Sequence, residues 1–261
     1  MKNWYLEQYK FKITVLSVGD DGNPHRCRNG HEVGDTYECG YGLPGGFCSK
    51  TAYRLFTLQE TIRAGGDLRY LMYGADKNSC VLPCADGVVT FKVEAVPNYE
   101  IKPLTVDDLP DYAEVIRKSF ATVADDFGWT RDVAPTFSAY ISDEKLSAKY
   151  TDSYYSFGLF VGDILVGFVS LTDVSGGAYE LNHLAMLPKW RHCGYGKLLL
   201  WFCKIKVREL GGNKLTIGIV EENTLLKNWY AAYGFQHMGT KKFDWQPFTA
   251  GFMELEVAQN A

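Results

Sequence analysis

A strand-like run from Glu180 to Leu187 passes through Pro188-Lys189-Trp190 into Arg191-His192-Cys193-Gly194-Tyr195-Gly196, and a helical pattern begins directly behind it. Glycines at 194 and 196 permit backbone angles that other residues resist and let a ligand approach the main chain closely. A helix start adds unpaired N–H groups and the positive end of the helix dipole, so a phosphate or pyrophosphate is the natural occupant. Arg191 can add positive charge. Two better-known phosphate loops do not fit these residues. A Walker loop needs Gly-Lys followed by Ser or Thr, whereas Lys197 precedes Leu198. A dinucleotide fingerprint needs Gly or Ala three residues after the second glycine, and that position holds Leu199.

The surviving pattern, Arg-x-x-Gly-x-Gly after Leu184-Ala185-Met186-Leu187-Pro188, resembles the acetyl-CoA signature of the GNAT superfamily. Downstream, Asn223 and then Trp229-Tyr230-Ala231-Ala232-Tyr233-Gly234-Phe235 are similar to the family's Asn-to-Tyr helix ending in Gly-Phe. The resemblance runs from about Tyr99 to Val257. It implies that Arg191, Gly194 and Gly196, with the amides of His192, Cys193, Tyr195 and Lys197, hold the pyrophosphate of acetyl-CoA or coenzyme A. It also implies that the strand before the motif splays from its neighbour. The backbone of Leu184, Ala185, Met186 and Leu187 would then bind the pantetheine arm and polarise the thioester carbonyl. Apolar side chains there are equally what a buried strand carries.

Acyl transfer to an amine poses two proton problems. A lysine-like amine has a pKa of about 10 and must lose a proton to attack, and the departing thiolate benefits from gaining one. By the resemblance, Tyr230 supplies the proton to sulfur. Leu226, Tyr230 and Tyr233 also share one helix face, so a core aromatic is the competing reading. Glu180 stands where some family members place a glutamate base, and His183, three residues on, has an intrinsic pKa suited to a base near neutral pH. Asn223 either contacts the cofactor region or caps the following helix, and Gly234 needs only a left-handed helix stop.

The acceptor side reads less clearly. In the superfamily it is built after the first helix and before the last strand, here 120–155 with Asp125, Asp126, Phe127 and Trp129, and 243–248 with Trp245. Acidic and aromatic side chains would suit a cationic amine, small molecule or peptide. The expected function is thus an acetyl-CoA-dependent N-acetyltransferase using direct attack in a ternary complex. The alternative is a non-catalytic CoA-binding or metal-binding sensor or scaffold. A homodimer is compatible with either.

Ahead of Pro97, Cys27, His31, Cys39, Cys48, Cys80 and Cys84 are soft donors that could hold zinc or an iron–sulfur cluster. Their spacing lacks the paired Cys-x2-Cys of a finger or ribbon, so thiols are the expectation and a metal the alternative. Residues 30–48, Gly65-Gly66-Asp67 and Cys84-Ala85-Asp86-Gly87 before Phe91-Lys92-Val93-Glu94 resemble a family of short bacterial proteins of unassigned function, which brings no role with it.

The elements that must position these residues follow from periodicity. The expected layout is a small α+β domain over residues 1–97 and a GNAT domain over 98–261, the latter a mixed α/β sheet flanked by helices. Val96-Pro97-Asn98-Tyr99-Glu100-Ile101-Lys102-Pro103 marks the break. In the first part, Lys10–Val18 and Val88–Val96 alternate as strands, and a helix capped by Ser49 stops at Gly65-Gly66. In the second, a helix over Leu109–Phe120 precedes a looser region to Tyr155. Strands follow over Ser156–Val161, Leu165–Thr172, Leu181–Leu187, Lys214–Val220 and Phe252–Val257, and helices over Lys197–Leu210 and Thr224–Tyr233. With 261 residues, 46% hydrophobic and 22% charged, the chain can bury a core, and its net charge of −4 offers no footprint for nucleic acid. The longest apolar run, Leu198 to Cys203, is too short for a membrane span, and a cytoplasmic location with reduced cysteines is expected.

Overall fold

The computed structural model describes residues 8–257 except Tyr41 and Met72. The chain divides into two compact units, residues 1–99 and 100–261.

The first unit contains β1 (Tyr9–Val18), β2 (Thr36–Cys39), α1 (Ser49–Arg63), β3 (Tyr73–Asp76), β4 (Ser79–Pro83) and β5 (Val89–Pro97). Its five strands form one antiparallel sheet in the order β2-β1-β5-β4-β3. Alternation places Phe11, Ile13 and Val15 of β1 beside Phe91, Val93 and Ala95 of β5, and these bury against Leu55, Leu58 and Ile62 of α1. The N-cap of α1 is Cys48 rather than Ser49, which is already helical. Strands β2, β3 and β4 are four or five residues long, too short for a period-2 pattern to stand out in the sequence.

The second unit contains β6 (Glu100–Pro103), α2 (Leu109–Phe127), α3 (Asp143–Ser147), β7 (Tyr154–Val161), β8 (Ile164–Asp173), β9 (Ala178–Met186), α4 (Tyr195–Glu209), β10 (Lys214–Val220), α5 (Thr224–Ala232), β11 (Gln236–Lys242) and β12 (Thr249–Glu256). Seven strands form a mixed sheet in the order β11-β12-β10-β9-β8-β7-β6. Only β9 and β10 run parallel among these neighbours. Helices α2 and α4 pack against β8 and β9. Helix α2 continues past Phe120 to Phe127 because Ala124, one turn on, is buried in an aromatic cluster, and Gly128 then stops it at φ 67°. Edge strand β11 is almost wholly exposed, so no apolar stripe betrays it in the sequence. Among the described residues no helix is long and apolar enough to cross a membrane.

Candidate functional site

Strands β9 and β10 pair only at Lys214–Ala178, Leu215–Tyr179 and Thr216–Glu180. Beyond Glu180 they part, while β9 stays paired with β8 as far as Met186 and β10 stays paired with β12 as far as Val220. A parallel pair that separates exposes backbone N–H and C=O groups along the inner edge of each strand, ready for an extended ligand. On the other edge, β9 carries a bulge: Phe168 faces Ala185 and Ser170 faces Asn182, leaving His183 and Leu184 opposite Val169. His183 sits at the bulge with φ 50°, a conformation that costs energy in a non-glycine residue and persists only where the surroundings impose it.

The glycine turn leaves the end of β9. Residues Pro188–Trp190 make one 3-10 turn, His192 adopts φ 61°, and Gly194 caps α4 at φ 85°, where a Cβ would be strained. The first helical bond of α4 runs from Leu198 N to Gly194 O at 3.0 Å. The amides ahead of it therefore have no acceptor within the helix, and Gly194 brings no side chain to cap them. No acidic residue occupies the first turn, and Lys197 is exposed there. Unpaired amides, no acidic side chain and a nearby lysine are the features that favour an anion at a helix start.

The Arg191 guanidinium donates to Met186 O at 3.2 Å, to Thr122 Oγ1 at 2.8 Å and to Ser119 O at 2.6 Å. Burial lowers its pKa. Arg191 thus clamps the end of β9 and the start of the turn onto α2 through neutral acceptors, which do not cancel its positive charge. Lys197 and the helix dipole add to the positive character of the turn.

Tyr230 is 5% exposed on α5, with its ring against Trp229 and Phe235. Burial pushes its phenol well above the usual range, so it is a protonated donor at neutral pH. The Trp229 ring lies 3.7 Å from where a Gly196 Cβ would stand, which places α5 against the start of α4. The core-aromatic reading of this helix holds for Tyr230 alone, the one buried residue of α5. Asn223 acts as a helix cap, its Oδ1 accepting from Leu226 N at 3.0 Å.

The two candidate bases differ. His183 packs edge-on against Phe120, and its Nδ1 is shut from solvent without a partner. Burial, reinforced by Lys149, lowers its pKa to about 4. The near-neutral pKa that recommended it in the sequence is therefore lost. It is a neutral imidazole at pH 7 and a weak base. Glu180 stands at the point where β9 and β10 part, and its carboxylate accepts from Asn182 Nδ2 at 3.4 Å.

Across the splay lies a group that the sequence only hinted at. Phe120 meets Phe137 at 5.7 Å between ring centroids, Phe137 meets Trp129 at 5.1 Å, and Trp129 stacks on Phe127 at 4.8 Å and on Phe248 at 5.0 Å. Val220, the last residue of β10, joins the same cluster. The segment after α2 and the loop before β12 do meet, but through Phe248; Trp245 is 60% exposed and touches Phe243 instead. Asp125 and Asp126 are exposed at the end of α2, outside the cluster.

In the first unit Cys27, Cys39, Cys48, Cys80 and Cys84 form no disulfide among the described residues. Cys39 takes a bond from Gln59 and Cys84 one from Val89 N, and burial pushes the Cys80 thiol up to about 11. Cys27, His31, Cys48 and Cys84 line one cavity, but among the described residues no three His, Cys, Asp or Glu side chains come together in an arrangement able to hold a metal ion.

Residues 120–235, within the second unit, match the family model described as Acetyltransferase (GNAT) family. The chain is 25% identical over 152 residues to an uncharacterized N-acetyltransferase in the pepI 3′ region of Lactobacillus delbrueckii subsp. lactis, covering 55% of this chain and 88% of that protein. Its fold is similar to the ribosomal-protein-S18-alanine N-acetyltransferase from Escherichia coli, with TM-score 0.50, 17% identity, and coverage of 62% of this chain and 96% of the other. It is also similar to the PaiA N-acetyltransferase from Thermoplasma acidophilum in complex with coenzyme A, with TM-score 0.50, 24% identity, and coverage of 60% and 98%.

Proposed function

We propose that the second unit transfers an acetyl group from acetyl-CoA to a primary amine, by direct attack of the amine on the thioester with both substrates bound. The observation that carries this reading is the parting of β9 and β10 immediately ahead of an uncapped, acid-free helix start. The amides of the turn from His192 to Lys197 would hold the pyrophosphate, with Lys197 adding charge. The inner edge of β9, from Leu184 to Leu187, would pair with the amide groups of the pantetheine arm. The bulge at His183 re-aims the backbone at the place where the thioester carbonyl would lie, where a fixed N–H stabilises developing oxyanion charge.

Tyr230 is the proton donor to the departing sulfur, since burial keeps its phenol protonated. Glu180 is the better base of the two candidates, because the imidazole of His183 is protonated only near pH 4. Deprotonation through an ordered water would bridge the gap between its carboxylate and the amine. The amine itself would enter from the aromatic side, where Phe120, Phe137, Trp129 and Phe248 offer ring faces to a cation.

The test is release of free CoA from acetyl-CoA across a panel of polyamines, aminoglycosides, amino acids and peptide N-termini, with Tyr230→Phe as the control. Turnover with one class, lost in the variant, supports the reading. CoA binding without turnover on any amine would favour a sensor or scaffold.

A further inference from the structure

The first unit holds a cavity of about 480 Å³ at the N-terminus of α1, a size within the ordinary range for small-molecule sites, roughly 300–1,000 Å³. Helix α1 is 15 residues long and begins without a side-chain cap, because Cys48 makes no capping bond. No acidic residue lies in its first turn, and Lys50 does. These features alone describe many helices. Thr51 does not. It lies in that same turn and lines the cavity, it is 0% exposed, and its buried hydroxyl has no hydrogen-bond partner among the described residues. A buried donor is left unsatisfied only at a cost in stability, and native proteins almost always provide a partner.

The approach to this turn is fixed by a polar relay. Asn29 Nδ2 donates to Gly46 O at 2.5 Å and lies 3.3 Å from Nε2 of His31, a residue only 1% exposed. With Nε2 accepting, Nδ1 carries the proton and donates to Tyr37 Oη at 2.7 Å, and Tyr37 in turn donates to Asp35 at 3.5 Å. The loop that delivers Cys48 is thereby held before any ligand arrives. The charge around the opening is positive: Lys50 is paired with Asp86 and Arg26 with Asp21, while Arg28 makes no ion pair among the described residues. The opposite wall is apolar, made of Phe91, Val89 and the Cys84 side chain.

We infer that this cavity binds a small organic oxyanion, a phosphate ester or a carboxylate. The anionic group is received by the amides of Ser49 and Lys50 and the hydroxyl of Thr51, and the apolar body lies against Phe91 and Val89. Ser49 and Lys50 present first-turn N–H groups that have no acceptor within the helix, and the dipole and Arg28 favour negative charge there. The hydroxyl of Thr51 gains the partner it lacks. The first unit is then a ligand-binding domain in its own right, independent of the acetyl-transfer reading of the second.

The experiment follows the backbone amide resonances of the full chain during titration with inorganic phosphate and, in parallel, acetate, with chloride as the ionic-strength control. Saturable shifts at Ser49, Lys50 and Thr51 are expected with at least one of the two probes, and their relative affinities distinguish phosphate from carboxylate. Two variants sharpen the result. Ser49→Pro removes one donor where proline suits a helix, since Ser49 is the first helical residue and Cys48, at φ −66° and ψ 117°, is already in the conformation favoured before proline. Thr51→Val deletes the unpartnered hydroxyl and is expected to raise the melting temperature of the ligand-free protein. Each should weaken binding by about 10-fold, the effect of losing roughly one hydrogen bond to a charged group. Absence of saturable shifts with both probes would overturn the inference. So would shifts confined to 191–196, or undiminished affinity in both variants.

Discussion

The two sides of the β9/β10 splay are built on opposite plans. The glycine turn is contiguous backbone: residues 191–196 follow one another, and the functional atoms are main-chain amides set by two positive φ angles, at His192 and Gly194. The aromatic side is side chains only, drawn from Phe120, Phe127, Trp129, Phe137, Val220 and Phe248, residues as much as 128 positions apart. A backbone site depends on conformation and tolerates changes of side chain outside its glycines. A side-chain site depends on packing and is altered by any truncation. Damage to the first should appear as lost ligand affinity with the fold intact, and damage to the second as lost stability and altered acceptor choice together.

Tyr230→Phe should have the largest effect, a fall in kcat of about 10³-fold with CoA affinity unchanged, as removal of a positioned general acid costs roughly 10²–10⁴. Rate and equilibrium titration measured side by side would show it. A fall in affinity with kcat preserved would move Tyr230 into the binding surface. Trp129→Ala comes next, at about 3 kcal/mol of stability by denaturant unfolding, since it takes ring contacts from Phe127, Phe137 and Phe248 at once. CoA affinity should be untouched, and a change there would break the division between the two sides.

His183 joins the two sides, lying in the bulge and packing on Phe120. Its folded pKa is about 4 against an ordinary value of 6.5. The unfolded chain therefore binds a proton in that window and the folded chain does not. Stability is full above about pH 6.5 and falls as pH drops toward 4, by about 2–3 kcal/mol. His183→Asn, which tolerates the positive φ, should flatten that part of a pH series of urea unfolding curves. An unchanged slope would mean that another group carries it.

Arg191→Met should cost about 2 kcal/mol by leaving Ser119 O and Met186 O without their donor. With the clamp as its role, the KM for acetyl-CoA rises only as far as the turn loosens, and Arg191→Lys keeps only part of the stability because lysine cannot make the forked contact. Gly194→Ala is the mildest, about 1 kcal/mol, the strain of holding φ 85° with a Cβ. Its effect should fall on CoA affinity more than on acceptor choice.

The glycine turn, the strand ahead of it and the helix behind it were legible because each rests on local signals: apolar runs, turn glycines and helix starts within a few residues. Asn223 as a cap and Gly234 as a stop were equally local. What the sequence does not show has one cause. Arg191 grips Ser119 and Thr122, and nothing nearby in sequence announces either as its partner. His183 was credited with an ordinary pKa because burial is not written in a tripeptide. Helix α2 runs past Phe120 because Ala124 is buried in the cluster with Phe137 and Trp129, a contact that no local pattern announces. Edge strand β11 and the short strands β2 to β4 carry too little periodicity to be read.

The sequence by itself determined the longer elements and the one stretch whose geometry resides in its own backbone, since hydrogen-bond geometry and helix starts are set by neighbours along the chain. Tertiary structure alone decided where β9 leaves β10, what Arg191 grips, whether His183 can hold a proton, and which aromatics meet at Trp129. Those depend on desolvation and on contacts between residues far apart in the chain, and such terms exist only once the chain has folded.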